Sequence, residues 1–192
     1  MANLRVDKIT STETFETTGS VQFDGPLDGG GIATNHIVVS SSSDFDFGTG
    51  DFTFEVWAYS VGWDGGESNK DQVIYYHNEE VAGFYIRGGQ INYYNGSKII
   101  EGPTLEDSRW YHLAAVRKDQ VVTLYIDGKS VGSASNSDDY GEGGITIGKN
   151  SDNNKNQFRG HLSNFRVLNR ALYASNFKPP MRELEVIPGT VL

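Results

Sequence analysis

Residues 110–129, WYHLAAVRKDQVVTLYIDGK, leave this chain few ways to fold. Trp110, His112, Ala114 and Val116 alternate with Tyr111, Leu113, Ala115 and Arg117, which is the two-residue period of a β-strand. Lys118-Asp119-Gln120 interrupts the apolar pattern. A second alternating run puts Val122, Leu124 and Ile126 on one side and Val121, Thr123 and Tyr125 on the other. Asp127-Gly128 then supplies two residues that tolerate positive φ, as a tight hairpin turn requires. Apolar residues occur on both faces, so the hairpin belongs at the centre of a sheet that packs on something else.

The same alternation recurs along the chain. Gly19 to Asp24 is expected as a first strand, with Val21 and Phe23 facing in, and His36 to Ser40 as a second. Phe52 to Ser60 sets Phe52, Phe54, Val56 and Ala58 against Thr53, Glu55, Trp57 and Tyr59. Strands are also expected at Gln72 to Asn78, Gly83 to Arg87, Gln90 to Tyr94, Ile145 to Gly148 and Phe158 to Leu168, with turns at Gly88-Gly89 and Asn95-Gly96. Pro26 to Asn35 and Asn150 to Asn156 read as loops. No helix beyond about two turns is signalled, although Ala171 to Phe177 is expected to make one turn. Pro179-Pro180 stops regular structure. The expectation is one all-β domain, an antiparallel β-sandwich of the jelly-roll kind over residues 19–180, with an arm at 1–18 and a tail at 181–192.

Composition narrows the function classes. A chain of 192 residues suffices for one sizeable β domain, which would bury roughly 70% of its unfolded surface. With 12% aromatic residues and 23 glycines, it suits many short strands joined by tight turns. There are no cysteines, so disulfides play no part in stability. The formal charge of −9 repels phosphates, so nucleic-acid binding is not expected, and no run approaches the roughly 20 apolar residues of a membrane span, so membrane insertion is not expected either. Residues 1–15 lack the apolar segment of a secretory signal. The expected locations are the cytoplasm, another export route, or a larger particle assembled in the cell.

Three ordered stretches resemble the laminin-G-like, concanavalin A-like lectin/glucanase domains. They are the hairpin above, Phe45 to Trp57 (FDFGTGDFTFEVW), and Arg159 to Pro180 (RGHLSNFRVLNRALYASNFKPP). The likeness implies the concanavalin A-like jelly roll, a fold shared by lectins, hydrolases, adhesion modules and structural proteins. Residues 1–18 resemble the short leaders that precede such domains in marine bacteriophage (cyanophage-like) virion proteins.

Catalysis lacks its residues. The glucanases of this fold carry an E-x-D-x-x-E strand, which puts all its acids on one face beside the sugar, and that pattern is absent. Glu79-Glu80 and Glu106-Asp107 are adjacent pairs that would point to opposite faces of a strand. His36, His77, His112 and His161 stand alone, so no enzyme activity is expected. Asp44, Asp46 and Asp51 lie close together, and Asp46 and Asp51 are expected to cap a turn.

Sugar recognition needs an aromatic platform with amides and carboxylates, often ordered by a rim calcium. The candidates are Trp63 with Asp64 and Asn69, Tyr93-Tyr94-Asn95, and Asp138-Asp139-Tyr140 with Asp152 and Asn153. Calcium at the Asp138/Asp139 or Asp152 loops has no EF-hand-like spacing behind it, so no metal or cofactor is assigned. Leu4, Val6, Ile9 and Phe15 in the arm, with Leu184, Val186 and Ile187 in the tail, are the candidate assembly and anchoring residues. They suggest a homo-oligomer, such as a trimer. The functional expectation is a non-enzymatic phage virion surface protein, either a capsid decoration, a fibre or an appendage component. It would be assembled in the host cytoplasm, be anchored through its termini to capsid or tail proteins and to itself, and touch host-surface polysaccharide with its rim. The alternative is a free carbohydrate-binding or adhesion module of a bacterial surface protein, extracellular or at the cell surface.

Overall fold

The alternation is realised as two six-stranded antiparallel sheets packed face to face. The computed structural model describes residues 19–25, 36–63, 71–77, 82–94, 99–149 and 156–192. The first sheet runs β1 (Val21–Asp24), β12 (Arg159–Leu168), β3 (Phe52–Ser60), β8 (Arg109–Lys118), β9 (Val121–Ile126) and β10 (Lys129–Ser135). The second runs β2 (Ile37–Ser42), β11 (Gly143–Ile147), β4 (Asp71–His77), β5 (Ala82–Arg87), β6 (Gln90–Tyr94) and β7 (Ile99–Thr104). The all-β sandwich read from the sequence is the fold observed. The arm at 1–18, the loop at 26–35 and residues 150–155 of the polar loop lie outside the described residues.

The core forms where the inward halves of the strands meet. Phe52, Phe54 and Val56 of β3 and Leu113 and Ala115 of β8 join Tyr75, Phe84, Ile86, Ile91 and Tyr93 of the second sheet. Phe54 stacks on Tyr75 with centroids 4.9 Å apart, so the two sheets touch through aromatic faces. The hairpins close through two-residue turns with positive φ at Gly88/Gly89, Asp119/Gln120 and Asp127/Gly128.

Two strands have no counterpart in the sequence reading, and both are edge strands. β10 (KSVGSAS) is small and polar, and β7 (IIEGPT) contains Pro103, which only an edge tolerates. These edges approach closely enough that a Cβ on Gly132 would lie 2.9 Å from Ile100.

The partner for the outer face of the central hairpin is the C-terminal segment. The helical turn expected at 171–177 does not form. Residues 169–192 instead run as an extended strap across the first sheet, and Ala171, Tyr173 and Phe177 pack on Ala114, Val116 and Tyr125. The Phe177 N–H donates to Gly128 O and the Trp57 indole N–H to Pro180 O.

Residues 181–192, expected as a separate tail, return to the domain. Val191 N–H donates to Val167 O and Val167 N–H to Leu192 O, so the chain's last residues extend the edge that β1 begins. Of the expected anchoring residues in this segment, Leu184 and Ile187 are half-buried and Val186 is 77% exposed.

Candidate functional site

Irregularities in β4 and regular alternation in β5 and β6 together build one outer face. In β4 a register shift between Val73 and Tyr75 turns Ile74 and Tyr75 inward and leaves Val73 and Tyr76 outside. β5 presents Gly83, Tyr85 and Arg87, and β6 presents Gln90, Asn92 and Tyr94. Pairing sets these in rows: Tyr76, Gly83, Tyr94; then Val73, Tyr85, Asn92, Glu101; then Asp71, Arg87, Gln90.

Within this face Tyr76 and Tyr85 are buried, Tyr94 and Gln90 half-buried, and Arg87 and Glu101 exposed. Arg87 forks onto Asp71 at 2.7 and 2.8 Å and lies 5.4 Å from the Tyr85 ring centroid. Burial pushes the Tyr85 hydroxyl pKa up, so the ring stays neutral. Chemically the face offers half-buried Tyr94 packed against two tyrosines, with the Gln90 amide, the Glu101 carboxylate and the Asp71-paired Arg87 guanidinium around it. Such a set can bind a polyol.

The structure redistributes the residues predicted from sequence. Trp63 is 1% exposed, and its indole N–H donates to Glu106 O while its ring meets Tyr111 and Phe158. It is a core plug at the base of its loop and cannot serve as a sugar platform. Tyr93 and Tyr140 are likewise fully buried. Tyr93 lies inward because it neighbours outward Tyr94 on one strand. Tyr140 stacks on Phe52 and lies under the Arg117 guanidinium, 4.6 Å from its ring centroid. Among the described aromatic candidates only Tyr94 reaches the surface, while Asp138 and Asp139 are exposed beside buried Tyr140. Asp64, Asn69, Asn95, Asp152 and Asn153 lie outside the described residues, as do Leu4, Val6, Ile9 and Phe15.

The rim aspartates act as turn caps. Gly48 N–H donates to Asp46 Oδ1 and Asp119 N–H to Asp51 Oδ1. Asp138 Oδ2 accepts from Asn136 and its carbonyl from Arg117. Among the described residues, no group of three or more His, Cys, Asp or Glu side chains is placed to hold a metal ion.

One constellation escaped the sequence reading. Glu55 on the outer face of β3 lies 3.1 Å from His112 Nε2, accepts from Arg166 Nε at 2.7 Å and from the Tyr173 hydroxyl at 2.9 Å. A bulge in β12 delivers the arginine: the register shifts between Ser163 and Arg166, with Asn164 at φ 52°, so both residues point outward. Burial alone would raise the Glu55 pKa, but hydrogen bonding and charge from His112 and Arg166 hold the carboxyl below its usual value. Glu55 and His112 are fully buried beneath the strap, so this acid–imidazole pair touches no solvent and no substrate. It fastens the strap. The signal in the sequence was the outward placement of Glu55 and His112 on apolar strands, which demands partners.

Comparisons with known proteins agree with this architecture. Residues 28–176 match the family model described as the concanavalin A-like lectin/glucanases superfamily. Among solved structures, a candidate carbohydrate-binding protein from Bacteroides ovatus superposes with a TM-score of 0.66 at 18% identity, covering 90% of this chain and 50% of that one. A heptameric SAP-like pentraxin from Limulus polyphemus gives 0.55 at 19% identity, covering 80% of this chain and 77% of that one. Trypanosoma rangeli sialidase gives 0.51 at 17% identity, covering 66% of this chain and only 22% of the sialidase. The chain therefore spans half or less of the Bacteroides and Trypanosoma proteins. No curated protein matches the sequence. On the family match across most of its length, with two antiparallel sheets in the corresponding arrangement, the chain belongs to the concanavalin A-like lectin/glucanase superfamily.

Proposed function

We propose that this domain is a non-enzymatic, glycan-binding module carried on the surface of a phage virion. The observation that carries the binding reading is the outer face of the second sheet, where half-buried Tyr94 stands on Tyr76 and Tyr85 beside Gln90, Arg87 and Glu101. The single buried carboxylate–imidazole contact among the described residues is consumed in holding the strap, which supports a binding role over hydrolysis. The virion setting is supported by the resemblance of residues 1–18 to phage leaders. The C-terminal segment is committed to its own sheet, and the anchoring role toward capsid, tail or a second copy is placed on the arm.

The same face serves a free bacterial carbohydrate-binding module equally well, and the likeness to the Bacteroides ovatus protein favours that second reading. Two measurements separate them. On a glycan array, Tyr94→Ala should lower binding at least tenfold, and binding unchanged by that substitution rejects the face. Peptides of this chain in purified particles support the virion setting, and their absence from particles rejects it.

A further inference from the structure

The margin of the sandwich where the chain enters its first strand also carries an unprotected strand edge. β7 and β10 meet at one margin, so β1 and β2 share the other. There a Cβ on Gly148, next after β11, would lie 2.3 Å from the Phe23 ring of β1. Charge, proline and shortness are what keep a sheet edge from pairing with another chain. β1 is four residues long and includes Asp24, β7 carries Glu101 and Pro103, and β10 carries Lys129. β2 (IVVSSS) has neither a charge nor a proline, and among the described residues it pairs only with β11. A bulge sets Ser40 and Ser41 against Gly144, which leaves residues 37–39 as the straight part of the strand. Ile37 and Val39 pack on the core, whereas Val38 is 62% exposed. We infer that this edge receives residues 4–7 of a second copy's arm as an added strand. The inference rests on the reading that the arm anchors the domain, and it names a site at which the arm docks.

The point where the arm leaves the domain directs it to β2. Gly19 O accepts from Ser163 Oγ, and further along β12 the edge is taken by Val191 and Leu192 pairing with Val167. Residues before Gly19 therefore cannot continue along β12. The other edge on that margin is β2, one sheet spacing of about 10 Å away. The arm's sequence fits this edge. Leu4 and Val6 alternate with Arg5 and Asp7, so a strand over 4–7 lays Leu4 and Val6 beside Ile37 and Val39 and sets Arg5 and Asp7 in the outer row with Val38. Residues 4–10 hold two cations and one anion in a chain of formal charge −9, so this end of the arm meets an acidic domain without repulsion. Length then assigns the β2 of a second copy. Residues 8–18, which join the added strand to Gly19, reach about 36 Å when extended, well beyond the sheet spacing. Exit and acceptor edge share one margin, so copies facing each other by that margin each give one arm and receive one, and the assembly closes.

The test reads solution mass by light scattering for the full chain and three full-length variants, with circular dichroism to confirm folding. The native protein should be an oligomer. Val6→Asp, which removes half of the apolar face of the added strand, should weaken assembly at least tenfold. Val38→Lys sets a cation beside Arg5 and should weaken it about tenfold, and Val38→Lys combined with Arg5→Glu should restore most of the loss. Hydrogen–deuterium exchange gives a second readout, because residues 37–39 should exchange more slowly in the native oligomer than in Val6→Asp. A native monomer overturns the inference. If residues 37–39 of that monomer are nonetheless shielded and Val6→Asp exposes them, each arm folds onto its own β2. An oligomer that survives both Val6→Asp and Val38→Lys assembles through another surface and overturns it too. Weakening by Val38→Lys that Arg5→Glu does not restore shows that β2 meets something other than the arm, and the inference falls. Failure here is distinct from failure of the functional reading. Val38 stands four strands from Tyr94, so none of these variants should change glycan binding, and absence of the chain from purified particles rejects the virion setting without altering these masses.

Discussion

Replacing Arg117 by methionine tests what holds the rim together. The guanidinium is fully buried and donates to Gly48 O and Gly50 O at 2.6 Å, Asp138 O at 2.8 Å, Asn136 Oδ1 at 3.1 Å and Phe47 O at 3.4 Å. It thus ties the turn at 47–50 to the segment 136–138. Methionine fills similar space without donors. Two of the acceptors keep another donor, since Tyr140 N–H still reaches Gly48 O and Gly50 N–H still reaches Phe47 O. Three lose theirs. Gly50 and Asp138 are exposed, so water can replace the lost donor at a cost of about 1 kcal/mol each, whereas buried Asn136 costs about 2 kcal/mol. Loss of the cation beside the stacked Phe52 and Tyr140 rings, 4.8 and 4.6 Å from their centroids, removes about 1–2 kcal/mol more. Relief from burying a charge returns about 2 kcal/mol. The expected net loss is about 3 kcal/mol, read as a lower urea midpoint at unchanged m-value. In a domain of this size the melting temperature should fall by about 10 °C. Arg117→Lys should lose nearly as much, because one ammonium cannot span both segments. A methionine variant within about 1 kcal/mol of native stability would refute the reasoning, since that figure is the error of the ledger.

Two further perturbations probe the core and the strap. His77 is buried against Phe45 O, and desolvation lowers its pKa to about 4. The folded state therefore resists protonation that the unfolded chain accepts near 6.5, and stability should fall as the pH drops from about 6.5 to 4, by up to roughly 3 kcal/mol. Urea titrations across that range should show the decline, with a shallower slope for His77→Gln; equal slopes would remove His77 as the cause. Gly128 sits at φ 73°, and a Cβ there would lie 1.9 Å from Phe177 O. Gly128→Ala should cost about 2 kcal/mol or more and lift the strap, exposing the Trp57 indole to acrylamide. Unaltered quenching would show that the strap does not depend on this contact.

How far the sequence carries depends on what each residue advertises. The central hairpin was legible because Trp110 to Ile126 alternates on both faces and Asp127-Gly128 marks its end. Sheets of apolar strands leave few other solutions. β7 and β10 were not legible, since edge strands have fewer neighbours to bury against and their sequences carry little periodicity. The strap was hidden for another reason: Ala171 to Phe177 reads as a helical turn and Pro179-Pro180 as a stop, until buried Glu55, Gly128 and Trp57 give Tyr173, Phe177 and Pro180 something to hold. Trp63 and Tyr140 show the converse failure. An aromatic beside aspartates and glycines has the composition of a sugar site, but nothing local distinguishes a ring facing outward from one that plugs the end of a sandwich. Strand parity did discriminate at Tyr93 and Tyr94, because adjacent residues must point opposite ways.

The pairing of Val191 and Leu192 with Val167 also determines how the domain can be mounted. Gly19 O accepts from Ser163 Oγ, so β1 enters beside Ser163, and the other end of the chain finishes beside Val167. These two points flank the bulge of β12 and stand opposite Trp57 and Phe54, three residues apart on β3, so they are about 10 Å apart at the rise of a strand. Connections made at Gly19 and at Leu192 would leave from the same margin of the sandwich. The opposite margin, where β7 meets β10, would point away from any such attachment, and both outer faces would stand edge-on to it.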